Sequence, residues 1–208
     1  MKKIFLMLTA SVLLFGTGMA EKPQDISLPA PSSLRGGNLM LAFKNRTSVR
    51  EYSKTDIALQ DLSDLLWAAN GINRPETGKL TAPTAQNKQE ISLYVLKKEG
   101  AYRYDAKQHS LVSVAEGDLR PLAAGRQEFA MKAPVVLLIV GDYSVFPAER
   151  NLAPIDAGYV SQNIYLFCSG NDLGTVARAT MEKEALAKAL KLPADHHPIL
   201  NHPVGRLP

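Results

Sequence analysis

Five consecutive residues, Arg46-Thr47-Ser48-Val49-Arg50, bring two guanidinium groups and two hydroxyl groups close together. If this segment is extended, Arg46, Ser48 and Arg50 share one face, because side chains alternate along a strand. Two planar guanidinium groups and a hydroxyl would suit the bidentate recognition of a phosphate monoester. The alternative is a basic loop exposed to water, since charged runs usually face solvent.

A second polar group lies near the end of the chain. Asp195, His196, His197 and His202 are close in sequence and include three possible metal ligands. Adjacent histidines in an extended segment point to opposite sides, so both cannot easily bind one ion. We predict a surface loop here and no metal site.

The single cysteine, Cys168, excludes an intramolecular disulfide. It lies in the apolar stretch 164–168, and no base is evident beside it. This environment predicts a buried packing residue rather than a nucleophile. Stability is therefore expected to come from packing or from a partner subunit.

Helical spacing of apolar residues predicts the elements that must hold the 46–50 segment. A short helix over residues 38–44 leads into it, and a strong amphipathic helix over residues 59–70 follows it. Further helices are predicted over residues 119–131, 156–170 and 181–191. The helix over 156–170 is largely apolar, so we expect it to be central or at an interface.

Strand patterns lie between these helices. Residues 91–95 alternate between apolar and polar, and with residues 101–105 they predict a hairpin. The apolar run 134–140 predicts a strand covered on both faces, and short extended segments are predicted over 174–178 and 198–206. Helices and strands are mixed without a regular βαβ period, and no GxGxxG motif is present. The sequence therefore predicts an α+β fold rather than a doubly wound dinucleotide-binding fold.

The first twenty residues have the pattern of an export signal. Lys2 and Lys3 precede the apolar run 4–15, and Gly18 and Ala20 place small residues where cleavage after Ala20 requires them. The apolar run is short for a stable bilayer-spanning helix, so we expect cleavage and a periplasmic location, with an uncleaved anchor as the alternative. Residues 21–37 are rich in Pro, Ser and Gly and predict a flexible spacer, which leaves residues 38–208 as one domain.

The mature chain would carry little net charge. The whole chain has a formal charge of +4, of which the two lysines of the first twenty residues supply half. No run rich in Lys and Arg is present. We therefore predict neither a nucleic-acid partner nor a stable membrane anchor.

Ordered motifs along both halves of the chain resemble the FMN-dependent nitroreductase family. In the first half they are residues 46–52 (RTSVREY), 62–71 (LSDLLWAANG) and 81–87 (TAPTAQN). In the second half, residues 156–163, 173–176 and 203–206 resemble the family's long central helix, the strand after it and its closing motif. The SagB-type dehydrogenases are the most similar branch, because they share the helix end 66–69 and the strand 102–105. The resemblance covers residues 40–208.

On the phosphate side, the resemblance implies five binding residues. Arg46, Thr47, Ser48 and Arg50 would hold the phosphate and ribityl end of FMN. Arg206 matches a basic residue of the closing motif that reaches the same phosphate.

On the ring side, the resemblance implies that Thr84 and Asn87 lie beside the flavin of the partner subunit. The backbone N–H groups of Ala177, Arg178 and Ala179 would lie near flavin N5 and O4. The chain departs from its relatives here. They commonly have glycine near Ala179, where a ring is approached most easily without a Cβ atom, and serine-alanine-glycine at positions 84–86.

The resemblance implies a central, mainly antiparallel sheet flanked by helices, in an intertwined homodimer that binds FMN between its subunits. It also implies an oxidoreductase that works by ping-pong hydride transfer through flavin N5, and the export signal would carry this enzyme out of the cytoplasm. Electrons would pass from a small-molecule donor to an acceptor such as a quinone or a nitroaromatic. The alternatives are a SagB-type dehydrogenase of a substrate such as an azoline peptide, and a degenerate, non-catalytic flavin-binding protein.

Overall fold

The described chain combines nine strands with five helices. The computed structural model describes residues 23–208, so the predicted export signal lies outside the described residues. The strands are β1 (Ile26–Ser27), β2 (Ile72–Arg74), β3 (Lys79–Leu80), β4 (Ile91–Leu96), β5 (Gly100–Asp105), β6 (Ser110–Glu116), β7 (Val135–Asp142), β8 (Leu173–Thr175) and β9 (His196–Arg206). The helices are α1 (Leu39–Asn45), α2 (Leu59–Asn70), α3 (Arg120–Ala124), α4 (Leu152–Ser169) and α5 (Lys183–Ala189).

Seven of these strands form one antiparallel sheet in the order β1-β6-β5-β4-β7-β9-β8. Strand β7 lies near its centre, and its apolar run Val135–Asp142 is buried along almost its whole length. A strand covered on both faces needs apolar residues at every position, which explains the unbroken run. The predicted α+β fold with a mainly antiparallel sheet is confirmed.

Helices cover both faces of this sheet. Helices α2 and α4 pack together on one face, over a core that includes Leu65, Leu66 and Ile164. Helices α3 and α5 cover the other face, where Ala123 and Leu186 pack against alternate residues of β7. None of the helices in residues 23–208 is long and apolar enough to cross a membrane.

The helix predicted over residues 119–131 is interrupted in the structure. Helix α3 ends at Gly125, which has a φ of +55°. A side chain at this position would be strained in the left-handed region, so a glycine suits the break. The chain then makes a short 3₁₀ turn over Glu128–Lys132 before it enters β7.

Residues 23–37 differ from the flexible spacer predicted by their composition. Residues Ile26–Ser27 pair with the edge strand β6, and Leu28 is buried in the core. The Pro29 carbonyl accepts a hydrogen bond from the Ser63 hydroxyl, and the Ser32 N–H donates to Asp64 at 2.8 Å. Residues 23–37, which we call the N-terminal arm, are held by backbone pairing with β6, by the buried Leu28 side chain and by polar residues of α2. Composition alone does not reveal such pairing.

Candidate active site

The 46–50 segment runs in extended conformation beside the edge strand β8. The Val49 N–H donates to the Thr175 carbonyl at 2.9 Å. Val49 packs so closely on β8 that a Cβ atom at Gly174 would lie 2.6 Å from its Cγ1 atom. Of the three polar side chains of the segment, Arg46 and Ser48 both contact Tyr165, whereas Arg50 contacts Phe129.

Both guanidinium groups of the segment lie over aromatic rings. The Arg46 guanidinium carbon is 5.2 Å from the centre of the Tyr165 ring, and that of Arg50 is 5.9 Å from the centre of Phe129. Within residues 23–208, neither arginine forms a salt bridge. Contact with an aromatic face orients a guanidinium group but does not neutralise it. The pair therefore keeps its positive charge available for an anion.

Tyr165 of α4 connects this segment to the turn that follows β8. Its hydroxyl lies 3.0 Å from Ser48 Oγ and accepts the Ala177 N–H at 2.8 Å. The ring packs edge-on against His202, 5.4 Å away. Sequence analysis assigned no role to Tyr165, because it lies in an apolar helical run. A tyrosine in such a run was nevertheless a signal, since a buried tyrosine hydroxyl usually has a polar partner.

The turn at residues 177–179 offers fewer free donors than the sequence predicts. The Ala177 N–H donates to Tyr165, and the Arg178 N–H donates to the Asn201 carbonyl at 2.8 Å. Among the contacts within residues 23–208, the Ala179 N–H is the one of the three without a protein acceptor, and Ala179 is exposed. Of the three predicted donors, the Ala179 N–H is thus the one left unpaired within residues 23–208.

The Arg178 side chain is buried and holds this turn in place. It is 6% exposed, and no carboxylate pairs with it in the described part of the chain. Its nitrogens donate to four neutral oxygens, namely the carbonyls of Ala123 and Ala124 and the side-chain amides of Gln127 and Asn201, at 2.7 to 2.9 Å. Burial lowers the pKa of this guanidinium. The guanidinium carbons of Arg178 and Arg50 lie 5.5 Å and 5.9 Å from the centre of the Phe129 ring, so Arg178 is a third cation close to the 46–50 segment.

Arg206, which the resemblance assigns to the phosphate, lies at the end of β9. It forms an ion pair with Asp61 of α2, a buried carboxylate that also pairs with Arg35. A carboxylate shared by two guanidinium groups is stabilised by charge-assisted hydrogen bonds. The structure thus places Arg206 in a pairing between β9, α2 and the N-terminal arm.

Thr84 and Asn87 belong to a strained loop at the other end of α4. Gln86, Asn87 and Gln89 have φ values of 51°, 56° and 56°, which are unusual for residues other than glycine. The Thr84 hydroxyl accepts the Gln89 N–H at 2.9 Å, and this closes the loop.

Asp156 anchors this loop to α4 by accepting the Ala85 N–H at 2.7 Å. Asp156 precedes Tyr165 by nine residues, which is about 14 Å along a helix axis. Within one chain, the 84–89 loop and the 46–50 segment therefore lie at opposite ends of α4.

Glu90 adds a second buried carboxyl at this end of α4. Glu90 and Asp156 are 4% and 3% exposed, and within residues 23–208 neither Glu90 carboxyl oxygen has a hydrogen-bond partner. Burial first, and then the nearby Asp156 and Asp142, raise the pKa of Glu90 to about 7. The sequence did not single out Glu90, because a glutamate after a polar loop is usually exposed.

The histidines and the cysteine take structural positions. His202 is buried between the Ser161 and Thr175 hydroxyls, and burial lowers its pKa to about 3, so the ring is neutral. His196 lies 3.8 Å from Asp142. Among residues 23–208, no three His, Cys, Asp or Glu side chains are placed to hold a metal ion. Cys168 is buried, and burial raises the pKa of its thiol.

Comparison with known proteins agrees with this architecture. Residues 43–206 match the model of the nitroreductase family. The "Putative nitroreductase MJ1384" of Methanocaldococcus jannaschii is 32% identical over 197 residues, which are 88% of this chain and 96% of that protein. The crystal structure of a "putative nitroreductase" from Ralstonia eutropha JMP134 is 35% identical, covers 92% of each chain and superposes with a TM-score of 0.84.

The chain belongs to the nitroreductase family, and its members are oxidoreductases. An "FMN-dependent Nitroreductase" from Clostridium difficile R20291 has the same fold, with a TM-score of 0.59. It is 16% identical and covers 80% of this chain and 86% of its own, so the likeness concerns the fold alone.

Proposed function

We propose that this oxidoreductase binds FMN with its phosphate against Arg46, Ser48 and Arg50. The observation that carries the proposal is that Arg46 and Ser48 share the contact with Tyr165, while Arg50 lies over Phe129. Both guanidinium groups lack a carboxylate partner in the described residues, and Ser48 is joined through Tyr165 to the turn at Ala177. A phosphate monoester matches such a set in charge and in donor geometry.

The residues beyond the segment also fit FMN. The exposed Ala179 N–H has no protein acceptor within residues 23–208, so it would be free to donate to the flavin ring. The buried Arg178 guanidinium fixes this turn and adds a positive charge behind it. Positive charge placed before reaction favours the anion that forms when a flavin is reduced. When bound, FMN would supply hydride transfer to and from small organic molecules.

A homodimer would complete the site. Ile155 and Tyr159 of α4 are each nearly half exposed, and a Cβ atom at Gly158 between them would meet open space. An apolar helix face with a small residue at its centre is suited to close packing against a second copy. In an antiparallel pair of α4 helices, the 84–89 loop of one subunit would lie beside the 46–50 segment of the other. Within one chain the 84–89 loop and the 46–50 segment lie at opposite ends of α4, and this separation supports a site completed by a second subunit.

Reconstitution tests FMN binding directly. Protein comprising residues 21–208 is purified and mixed with FMN. Gel filtration then removes unbound FMN, and visible absorbance measures the FMN that stays bound. We expect about one FMN per chain. Replacing both arginines (Arg46→Gln with Arg50→Gln) should weaken binding by roughly a hundredfold or more, because two charge-assisted contacts are lost. Arg103→Gln, on β5 at the other side of the sheet, is the matched control. Protein that retains no FMN would overturn the proposal.

Catalysis is tested separately with the reduced, FMN-loaded dimer. Anaerobic addition of menadione or a nitroaromatic should reoxidise it rapidly, and NADH and NADPH are compared as donors by stopped-flow absorbance. Tight FMN binding without electron transfer to any acceptor would favour the non-catalytic alternative. Loss of two hydrogens from an azoline peptide under air would favour the SagB-type dehydrogenase instead.

Export is proposed from residues 1–20 alone. Expression of the full chain in a bacterial host should yield periplasmic protein whose first residue is Glu21. Intact-mass measurement of the periplasmic fraction checks this result. Full-length protein in the membrane fraction would support an uncleaved anchor, and full-length protein in the cytoplasm would contradict export.

A further inference from the structure

A large cavity lies away from the 46–50 segment. Its volume is about 840 Å³, and it lies between α5, the start of β9, the first turn of α4 and the loop that follows β7. It shares no lining residue with the 46–50 segment or with the turn at 177–179. Small-molecule sites in proteins typically have volumes of about 300–1,000 Å³. The cavity is therefore large enough for a ligand of its own.

The cavity is lined by an excess of positive charge. Arg150, Lys183, Lys188 and Lys191 line it together with a single carboxylate, Glu184. None of the four cations forms a salt bridge within residues 23–208. Converging charges of one sign beside a concave apolar surface raise the local concentration of the opposite ion. The charge of the cavity selects for an anion.

One wall of the cavity is an ordered aromatic surface. The Tyr143 ring has the Arg150 guanidinium 5.0 Å from its centre and packs edge-on against His197 at 5.2 Å. Leu192 and Ile199 add aliphatic surface, and Ala187 of α5 leaves space because its side chain is small. A hydrated inorganic anion would leave this wall unused. The wall selects for a ligand with an apolar body, such as an aromatic ring.

We infer that this cavity is a binding site for an amphipathic organic anion: a carboxylate or sulfonate carried by a body of one or two rings. The anionic group lies among Lys183, Lys188 and Lys191, and the ring packs along Tyr143. The site is separate from the proposed FMN site, and its occupation does not require bound FMN.

Equilibrium dialysis with two matched probes tests this inference. The FMN-loaded protein is dialysed against 2-naphthoate, and in parallel against the uncharged 2-naphthamide, each with FMN in excess. We expect saturable binding of about one naphthoate per chain, at least tenfold tighter than binding of the amide. Equal affinity for naphthoate and naphthamide would refute the proposed anion site, because the charge of the cavity would then have no effect on binding. If excess FMN displaces naphthoate, the anion belongs to the 46–50 segment and the inference fails.

Substitutions test the positive charge of the cavity and the space beside its apolar wall separately. Lys188→Gln with Lys191→Gln should weaken naphthoate binding by about tenfold and leave naphthamide unchanged, since partly exposed charges each contribute up to about 1 kcal/mol. Ala187→Phe should weaken both probes by filling the space beside the wall. Lys79→Gln with Lys98→Gln removes two exposed lysines that do not line the cavity, and should change neither probe. Wild-type naphthoate affinity in both cavity variants, with circular dichroism confirming their fold, would refute the assignment.

Discussion

The hydroxyl of Tyr165 lies 3.0 Å from Ser48 Oγ and also accepts the Ala177 N–H at 2.8 Å. A single side chain thus joins the segment proposed to hold a phosphate to the turn proposed to face the flavin ring. Helix α4 sets the position of both. The two ends of the proposed FMN site are therefore mechanically linked through one residue.

Tyr165→Phe should keep the fold but loosen this link. The ring remains over Arg46, while Ser48 and Ala177 lose a shared partner. We expect FMN affinity to fall about fivefold to twentyfold, because two ordinary hydrogen bonds are removed. Fluorescence titration of FMN measures the change. Tyr143→Phe, in the separate cavity, serves as the control, and equal FMN affinity in both variants would contradict the linking role.

Arg178→Met should destabilise the protein strongly. Its guanidinium donates to four buried oxygens, and the variant leaves these without a donor. We expect a loss of about 3–5 kcal/mol in the free energy of unfolding, measured by urea denaturation. Arg103→Met is the control and should change stability little. A loss below about 1 kcal/mol in Arg178→Met would show that water replaces the side chain.

Glu90 should make stability depend on pH. Its pKa is raised from 4.5 to about 7 by burial and by Asp156 and Asp142, so the folded state binds more protons than the unfolded state between these values. The contribution of Glu90 to stability should therefore fall as pH rises from 4.5 to 7, by on the order of 1–3 kcal/mol. Buried His202, whose pKa is lowered from 6.5 to about 3, contributes in the opposite direction below pH 6.5.

Glu90→Gln removes the titrating carboxyl, so its gain in stability over the wild type should be larger at pH 8 than at pH 5. Urea denaturation at pH 5 and pH 8 provides the comparison. Glu116→Gln, which replaces an exposed carboxyl, should leave the wild-type slope unchanged. An unchanged slope in Glu90→Gln would assign the dependence to another group.

Ile155→Asp should disrupt the proposed dimer. The substitution places a charge on the exposed apolar face of α4, where a partner helix would desolvate it. Light scattering after gel filtration should change from twice the chain mass to the chain mass, and FMN should be lost with the partner's 84–89 loop. Ala185→Asp on an exposed face of α5 is the control. A dimer that persists in Ile155→Asp would place the interface elsewhere.

Local patterns predicted most of the fold. The helix over residues 59–70 and the buried strand after residue 134 appear where apolar spacing placed them. Strand β6 was not predicted, although it alternates in burial and forms a hairpin with β5; only its pairing with the N-terminal arm joins residues distant in sequence. The break at Gly125 was also missed, since a glycine within a helical pattern is often tolerated.

The candidate site was predictable only in part. The grouping of Arg46, Ser48 and Arg50 on one face stays a prediction from strand alternation, and Arg46 and Ser48 share a contact with Tyr165. The Ala177 and Arg178 N–H groups donate to acceptors within the protein. These acceptors belong to Tyr165 and Asn201, which are distant in sequence. Such contacts between distant residues are set by tertiary packing, and a single sequence does not encode them in any local period.

The hydrogen bond from Val49 to Thr175 has a consequence for the apo protein. It lays the 46–50 segment along β8, the last strand on its side of the sheet. Uncovered sheet edges recruit other chains and start aggregation. The residues proposed to hold the cofactor therefore also shield a sheet edge. Protein folded without its ligand should aggregate more readily when this segment detaches from β8. Cofactor binding would therefore keep the protein soluble as well as active.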